Sequence, residues 1–139
     1  MVQGYRADTY SQLETLAFMA FYERAHAVFC RNLQAQIAEP TLKALVGRIA
    51  RDEERHEDFF ANLISHCLTY SRDETIEAIA CRASGLDVVG ADIVAYRDKV
   101  ATVAEAGIFD QEQLRRVISD RITAWGLAVE PQLRQFISS

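Results

Sequence analysis

Two segments of the sequence place Glu and His three residues apart, Glu23-Arg-Ala-His26 and, within the run DEERHE at residues 52–57, Glu53-Glu-Arg-His56. Steps of three and four keep side chains on one face of a helix, so each pair can offer a carboxylate and an imidazole to one point in space. Such donors bind metal cations. The residues sharing the azimuth of Glu53 are Leu42, Val46, Ile49, His56, Phe60, Leu63 and Cys67, a stripe that is apolar except at Glu53 and His56. Asp52, Glu54, Arg55 and Glu57 lie beside or opposite it, where water can solvate them. Glu23 and His26 interrupt a similar stripe of Met19, Ala20, Ala27 and Cys30. A carboxylate on a buried stripe is costly unless it is paired or coordinates a metal. A buried Glu–His contact or a Glu23–Arg55 ion pair is the structural alternative.

These groups must be held by helices. Ser11-Gln-Leu-Glu14 has the form of a capping box and predicts a first long helix over 11–38. Glu39-Pro40-Thr41 interrupts it, because Pro is disfavoured inside a helix and welcome in the first turn of a new one; the second long helix is expected over 41–70. In an antiparallel hairpin turning at Glu39, Glu23 lies sixteen residues before the turn, and Glu53 and His56 lie fourteen and seventeen after it. At about 1.5 Å per residue they meet within roughly one helical turn of the same height. Ser71-Arg-Asp-Glu74 repeats the capping signature, Gly85 and Gly90 punctuate a less regular stretch, and Gly107 closes a segment from about Ala91. Asp110-Gln-Glu-Gln113 opens a last helix with Leu114, Val117, Ile118, Ile122 and Trp125 on one stripe, and Pro131 marks its end or a new start. The expected fold is all-α, a single domain over 1–139 with accessory helices over 71–139.

Dinuclear carboxylate sites in ferritin-like four-helix bundles take one Glu from each of two helices and a Glu-x-x-His from each of two others. This chain supplies one helix of each kind, which is half of such a bundle. FYERAHAVF and IARDEERHEDFF resemble the ERAT and DEKRHE segments of the soluble acyl-carrier-protein desaturases, at a similar separation. The stretch DKVATVAEAGIFDQEQLRRVISDRITAWGL is also similar, with Trp125 matching a tryptophan of that family's late helix. The likeness covers most of the chain but only the second half of a typical member.

The resemblance implies that Glu23, Glu53 and His56 are metal ligands of a di-iron centre. His26 stands where the family has the Thr of ERAT, and can act as an extra ligand, an outer positioning group or a proton donor in catalysis. The remaining histidine, His66, is off the stripe and is read as structural. The family's other Glu and Glu-x-x-His are missing, so two irons would be shared between chains, in a two-fold homodimer or with a separately encoded half-desaturase. The implied activity is oxidation of an unactivated C–H bond on an acyl chain held by an acyl carrier protein, using O2 and electrons from a ferredoxin-type donor. Hard carboxylates with one imidazole per metal suit iron or manganese better than zinc. Phe18, Phe21, Phe59, Phe60 and Leu63 are candidates to line the acyl channel, and Arg24 and Arg31 to dock the acidic carrier. A catalytically silent partner subunit and a ferritin-like iron-binding protein are the other readings.

The bulk composition agrees with a globular helical chain. Half of the 139 residues are hydrophobic and a quarter charged, with six Gly and two Pro. A net charge of −5 and the lack of a Lys/Arg block argue against nucleic acid as a partner. No apolar stretch approaches the ~18 residues of a membrane span, nor does MVQGYRADTY have the apolar core of a signal peptide, which gives a cytoplasmic expectation. Cys30, Cys67 and Cys81 have no C-x-x-C spacing and are read as reduced packing residues.

Overall fold

The computed structural model describes residues 10–88 and 93–138. Among them are five α-helices, α1 (Gln12–Gln36), α2 (Pro40–Tyr70), α3 (Arg72–Gly85), α4 (Arg97–Glu105) and α5 (Gln111–Ala124), with 3-10 turns at Val94–Tyr96 and Arg134–Phe136 and no strand. Gly90 and Ala91, at the expected start of the fourth segment, lie outside the described residues.

Each helix start has a local cause. Ser11 accepts from the Glu14 backbone N–H while Glu14 accepts from that of Ser11, a complete capping box. Glu39 caps α2 by accepting from the N–H groups of Thr41 and Leu42, with Pro40 in the first turn. Asp110 and Gln113 form the second capping box, before α5. The box expected at Ser71 does not form. Ser71 is at once the C-cap of α2 and the N-cap of α3; its backbone N–H bonds back to Cys67, which withholds it from Glu74, and its side chain makes no cap bond.

The ends of α4 and α5 are set by glycine, that of α5 before Pro131 is reached. Gly107 (φ 71°) and Gly126 (φ 75°) take the left-handed conformation after α4 and α5. In each case the next N–H, of Ile108 or Leu127, reaches back to Val103 or Ile122, closing a Schellman turn that plants a buried aliphatic side chain beneath the helix end.

α1 and α2 form the expected hairpin, and small residues bring them close: Ala17, Ala20 and Ala27 on α1, Gly47, Ala50 and Ala61 on α2 are all buried. A Cβ at Gly47 would collide with the Gln34 side chain. This shifts the buried side of α2 from the expected stripe. Val46, Ala50, Glu57, Ala61 and Ile64 face inward, while Leu42, Ile49 and His56 are exposed. The main core lies between α1, α3 and α5, built on Phe21, Ile76, Ile79, Leu114, Val117, Ile118 and Ile122.

Two polar links join α5 to the hairpin. Trp125 donates its indole N–H to the Ala61 carbonyl (3.1 Å), and Arg121 pairs with Glu57 (3.0 Å). Glu57 is therefore buried (7% exposed) rather than solvated. Of the cysteines, Cys30 is buried and Cys67 half-buried, but Cys81 is exposed and does not pack. No helix among the described residues is long and apolar enough to cross a membrane.

Candidate metal centre

The hairpin register brings Glu23, His26, Glu53 and His56 together at one level. Glu53 stands at the centre: its Oε1 is 3.3 Å from His26 Nδ1 and its Oε2 is 3.2 Å from His56 Nδ1. His56 Nδ1 is also 3.7 Å from Glu23 Oε2. The four are buried unequally. Glu23 is 7% exposed, Glu53 and His26 are half-buried, and the His56 side chain is 56% exposed, facing outward from the hairpin. Arg55 pairs with Asp52 in its own helix, so the Glu23–Arg55 alternative is not what forms.

Electrostatics mark Glu23 as the anomalous group. Burial, then a hydrogen bond shared with Glu53 and the nearby Glu53 charge, push its carboxyl up to about 7. The bond shared with Glu23, aided by His56 and His26, holds Glu53 below the ordinary carboxylate value. Glu23 Oε2 is buried and makes no hydrogen bond. A buried carboxylate oxygen without a donor costs stability unless something else satisfies it.

A cation fits this donor set. Ligand bonds of about 2.1 Å place two atoms on one ion roughly 3.0–3.4 Å apart at octahedral to tetrahedral angles, and the Glu–His separations lie in or near that range. Ligand atoms of Glu23, His26 and Glu53 all lie within 4.8 Å of one another. Two carboxylates with imidazole nitrogens match iron or manganese.

The raised Glu23 value predicts an unusual pH response of the metal-free protein. A carboxyl whose folded value exceeds its unfolded one contributes stability that is full below the ordinary 4.5 and lost as pH rises past about 7. Glu53, shifted oppositely, changes its contribution only below that window. Glu23→Gln is expected to stabilise the metal-free protein at pH 8, with a ceiling of about 3 kcal/mol, and to leave it unchanged at pH 4. Urea melts at the two pH values measure this; equal effects at both would disprove it.

An apolar cavity of about 240 Å³ opens on the other side of His26. Tyr22, Ala25 and Phe29 of α1 line it with Val100 and Val103 of α4 and Phe109, while Tyr96 and Lys99 stand at its exposed margin. His26 belongs to both cavity and carboxylate cluster. This cavity is not lined by the aromatic residues expected from sequence. Phe21 is fully buried against the Trp125 ring, Phe18 stacks on Tyr22, and Phe59 points outward, 59% exposed. Phe60 and Leu63 are half-buried on α2 and also outside it. The sequence signal was present in Tyr22, Ala25 and Phe29, which flank His26 at helical spacing, but not the α4 residues facing them.

Arg24 and Arg31 are not free docking groups either. Arg31 forms a two-pronged bond with Glu54 (2.6 and 2.8 Å), which holds the Glu54 carboxyl low, and Arg24 contacts Glu57 at 3.4 Å. His66 is exposed, not packed, and takes no part in the cluster.

Comparison with known proteins follows the same lines. The model of a family described as fatty acid desaturase matches residues 1–136. The chain is 68% identical over 138 residues to DesA2 of Mycobacterium tuberculosis, which is named as an acyl-carrier-protein desaturase; the match covers 99% of this chain and 50% of DesA2, its C-terminal half. It is 27% identical over 122 residues to the chloroplastic acyl-carrier-protein desaturase 7 of Oryza sativa, covering 80% of this chain and 30% of that protein. The crystal structure of DesA2 from M. tuberculosis H37Rv superposes with a TM-score of 0.91 at 69% identity, over 94% of this chain and 54% of that one. The chain thus spans about half the length, or less, of the curated relatives it matches. The all-α, ferritin-like architecture expected from sequence is the one found.

Proposed function

This chain belongs to the fatty acid desaturase family, and from that premise we propose that it is a desaturase-like oxidoreductase acting on an acyl chain attached to a carrier protein. Its di-iron centre is completed by a second chain, preferably a second copy. The observation that carries this reading is the convergence of Glu23, His26, Glu53 and His56, of which His26 also lines an apolar cavity.

Glu23, Glu53 and His56 would hold iron, with His26 between it and the cavity. Bound iron supplies reductive activation of O2 by electrons from a ferredoxin-type donor, chemistry outside the range of side chains. The residues of this chain do the rest. Tyr22, Ala25, Phe29, Val100 and Val103 bind a hydrocarbon segment by excluding water; 240 Å³ exceeds the roughly 150 Å³ void known to take up benzene. His26 brings that segment against the carboxylates and can carry a proton between the two compartments. Lys99, the one lysine or arginine lining the cavity among the described residues, lies over the Tyr96 ring at its margin, where it can meet an anionic part of the carrier.

The case for a second chain rests on the outer face of α2. Leu42, Leu45, Ile49 and Phe59 form an exposed apolar ribbon, interrupted between Ile49 and Phe59 by Asp52 and His56. A helix pair laid on it would cover the ribbon and bring its own donors to the exposed side of the cluster. A second copy contributes another Glu23, Glu53 and His56, the number a dinuclear carboxylate site requires. A separately encoded half-desaturase fits the same face, making this chain a partner subunit.

The test is reconstitution with ferrous iron, a ferredoxin-type reductant, O2 and acyl chains of graded length on a carrier protein, with products read by mass spectrometry. Loss of two hydrogens from the acyl chain is expected, in a dimer of one or two chain types. Iron uptake with no oxidised acyl product, alone or with the complementary half of a relative, would leave an iron-binding protein instead. Val103→Trp, which fills the cavity, is expected to lower product formation at least about tenfold with iron content unchanged; full activity in that variant would remove the cavity from the proposal.

A further inference from the structure

We infer that His26 is a metal ligand, and that one chain binds one divalent transition-metal ion through Glu23, His26 and Glu53 without any second hairpin. The inference rests on the reading of Glu23 and Glu53 as metal-holding carboxylates, and adds to it a ligand and a stoichiometry.

Geometry selects His26. Its Nδ1 faces Glu53 Oε1 at 3.3 Å, the oxygen that His56 does not approach; His56 Nδ1 lies 3.2 Å from Glu53 Oε2 and 3.7 Å from Glu23 Oε2. Glu23, His26 and Glu53 offer three ligand atoms within 4.8 Å of one another, a spread that small side-chain rotations bring onto one ion. Their degree of enclosure agrees. Glu23 Oε2 is buried on a side chain only 9% exposed, and the His56 Nδ1 that faces it stands at 3.7 Å, beyond hydrogen-bond reach, so the acceptor is left unsatisfied. The arginines nearby do not meet that need: Arg24 is engaged by Glu57, Arg31 by Glu54 and Arg55 by Asp52.

Two carboxylates and one imidazole form a mixed oxygen–nitrogen set that leaves positions open, as expected for Mn(II), Fe(II) or Co(II) rather than a closed structural zinc site. His56 can add a second nitrogen through its 3.2 Å approach to Glu53. Because His26 also lines the apolar cavity, the open side of such an ion adjoins it. All of these donors come from α1 and α2 of a single chain.

Co(II) titration of the metal-stripped full chain, followed by calorimetry and visible d–d absorption, tests this at concentrations where sedimentation reports a monomer. One Co(II) per monomer is expected, with His26→Ala and His26→Gln each weakening binding at least about tenfold and altering the visible spectrum. Wild-type affinity and spectrum in both folded His26 variants would overturn the ligand assignment while leaving the carboxylate reading intact. Binding seen only in a dimer, or no binding at all, would overturn the one-chain site. Undiminished binding in a folded Glu23→Ala/Glu53→Ala double variant would instead remove the metal reading on which the inference stands.

Discussion

Glu57→Ala is expected to cost about 3–5 kcal/mol of folding stability, the range for removing one partner of a buried ion pair. Glu57 is 7% exposed and lies on the inner face of α2, with Oε1 3.0 Å from Arg121 and Oε2 3.4 Å from Arg24. The two arginines are not equivalent. The Arg24 side chain is 40% exposed, so water can replace its partner, and its share is at most about 1 kcal/mol. Arg121 is 16% exposed, lies over the Trp125 ring with its Nε already without an acceptor, and would keep an uncompensated charge in the interior. At about 2–4 °C per kcal/mol for a chain of this size, the melting temperature should fall by roughly 10 °C. Replacing Glu57 and Arg121 together by leucine should recover most of the loss, since the cost comes from the stranded cation rather than from a missing attraction. A single-variant loss below about 1 kcal/mol in urea melts would show that Arg121 reaches solvent.

Glu53→Ala is expected to reduce metal affinity at least about 100-fold while leaving the helical fold intact, an effect larger than that of either histidine. Removing even an outer partner of a metal ligand costs 10- to 100-fold, and Glu53 stands closer than that. Its two oxygens are the atoms that meet His26 and His56, so without it the imidazoles lose their common neighbour. Folding should not suffer, because Glu53 is half-buried and its removal takes a negative charge away from Glu23. Metal content after dialysis, calorimetric titration and circular dichroism on the same sample separate the two effects. Retention of metal at wild-type affinity would show that Glu53 is not a ligand.

The level at which these groups meet was legible because it depends on few residues. Ser11 and Glu14 start α1, Glu39 and Pro40 start α2, and counting from the turn places Glu23 opposite Glu53 and His56. The orientation of α2 about its axis was harder to read. Large side chains dominate any hydrophobic pattern, so Leu42 and Ile49 drew the stripe toward themselves. Close helix contact is instead made by Gly47, Ala50 and Ala61, whose small size is the reason the helices approach. Glu57 was misread for the same reason, although Arg121 beside Ile118, Ile122 and Trp125 was a charge on an otherwise apolar stripe, and so a sign that a buried carboxylate awaited it. At Ser71 the motif was present, but two helices share the residue, and the N–H that Glu74 would cap is already donated to Cys67 of the first. The pairing of Arg31 with Glu54 and the meeting of α1 with α4 around the cavity depend on contacts between distant residues, which periodicity along one helix does not encode.

The ribbon formed by Leu42, Leu45, Ile49 and Phe59 also bears on the life of the polypeptide before any chemistry begins. Left wet, such a patch recruits chaperones, detergents or neighbouring molecules indiscriminately, and its owner becomes more robust as the right companion grows abundant. Yield, solubility and resistance to proteolysis should therefore climb together on co-expression with whatever masks it, and shielding those four side chains becomes a form of quality control over assembly.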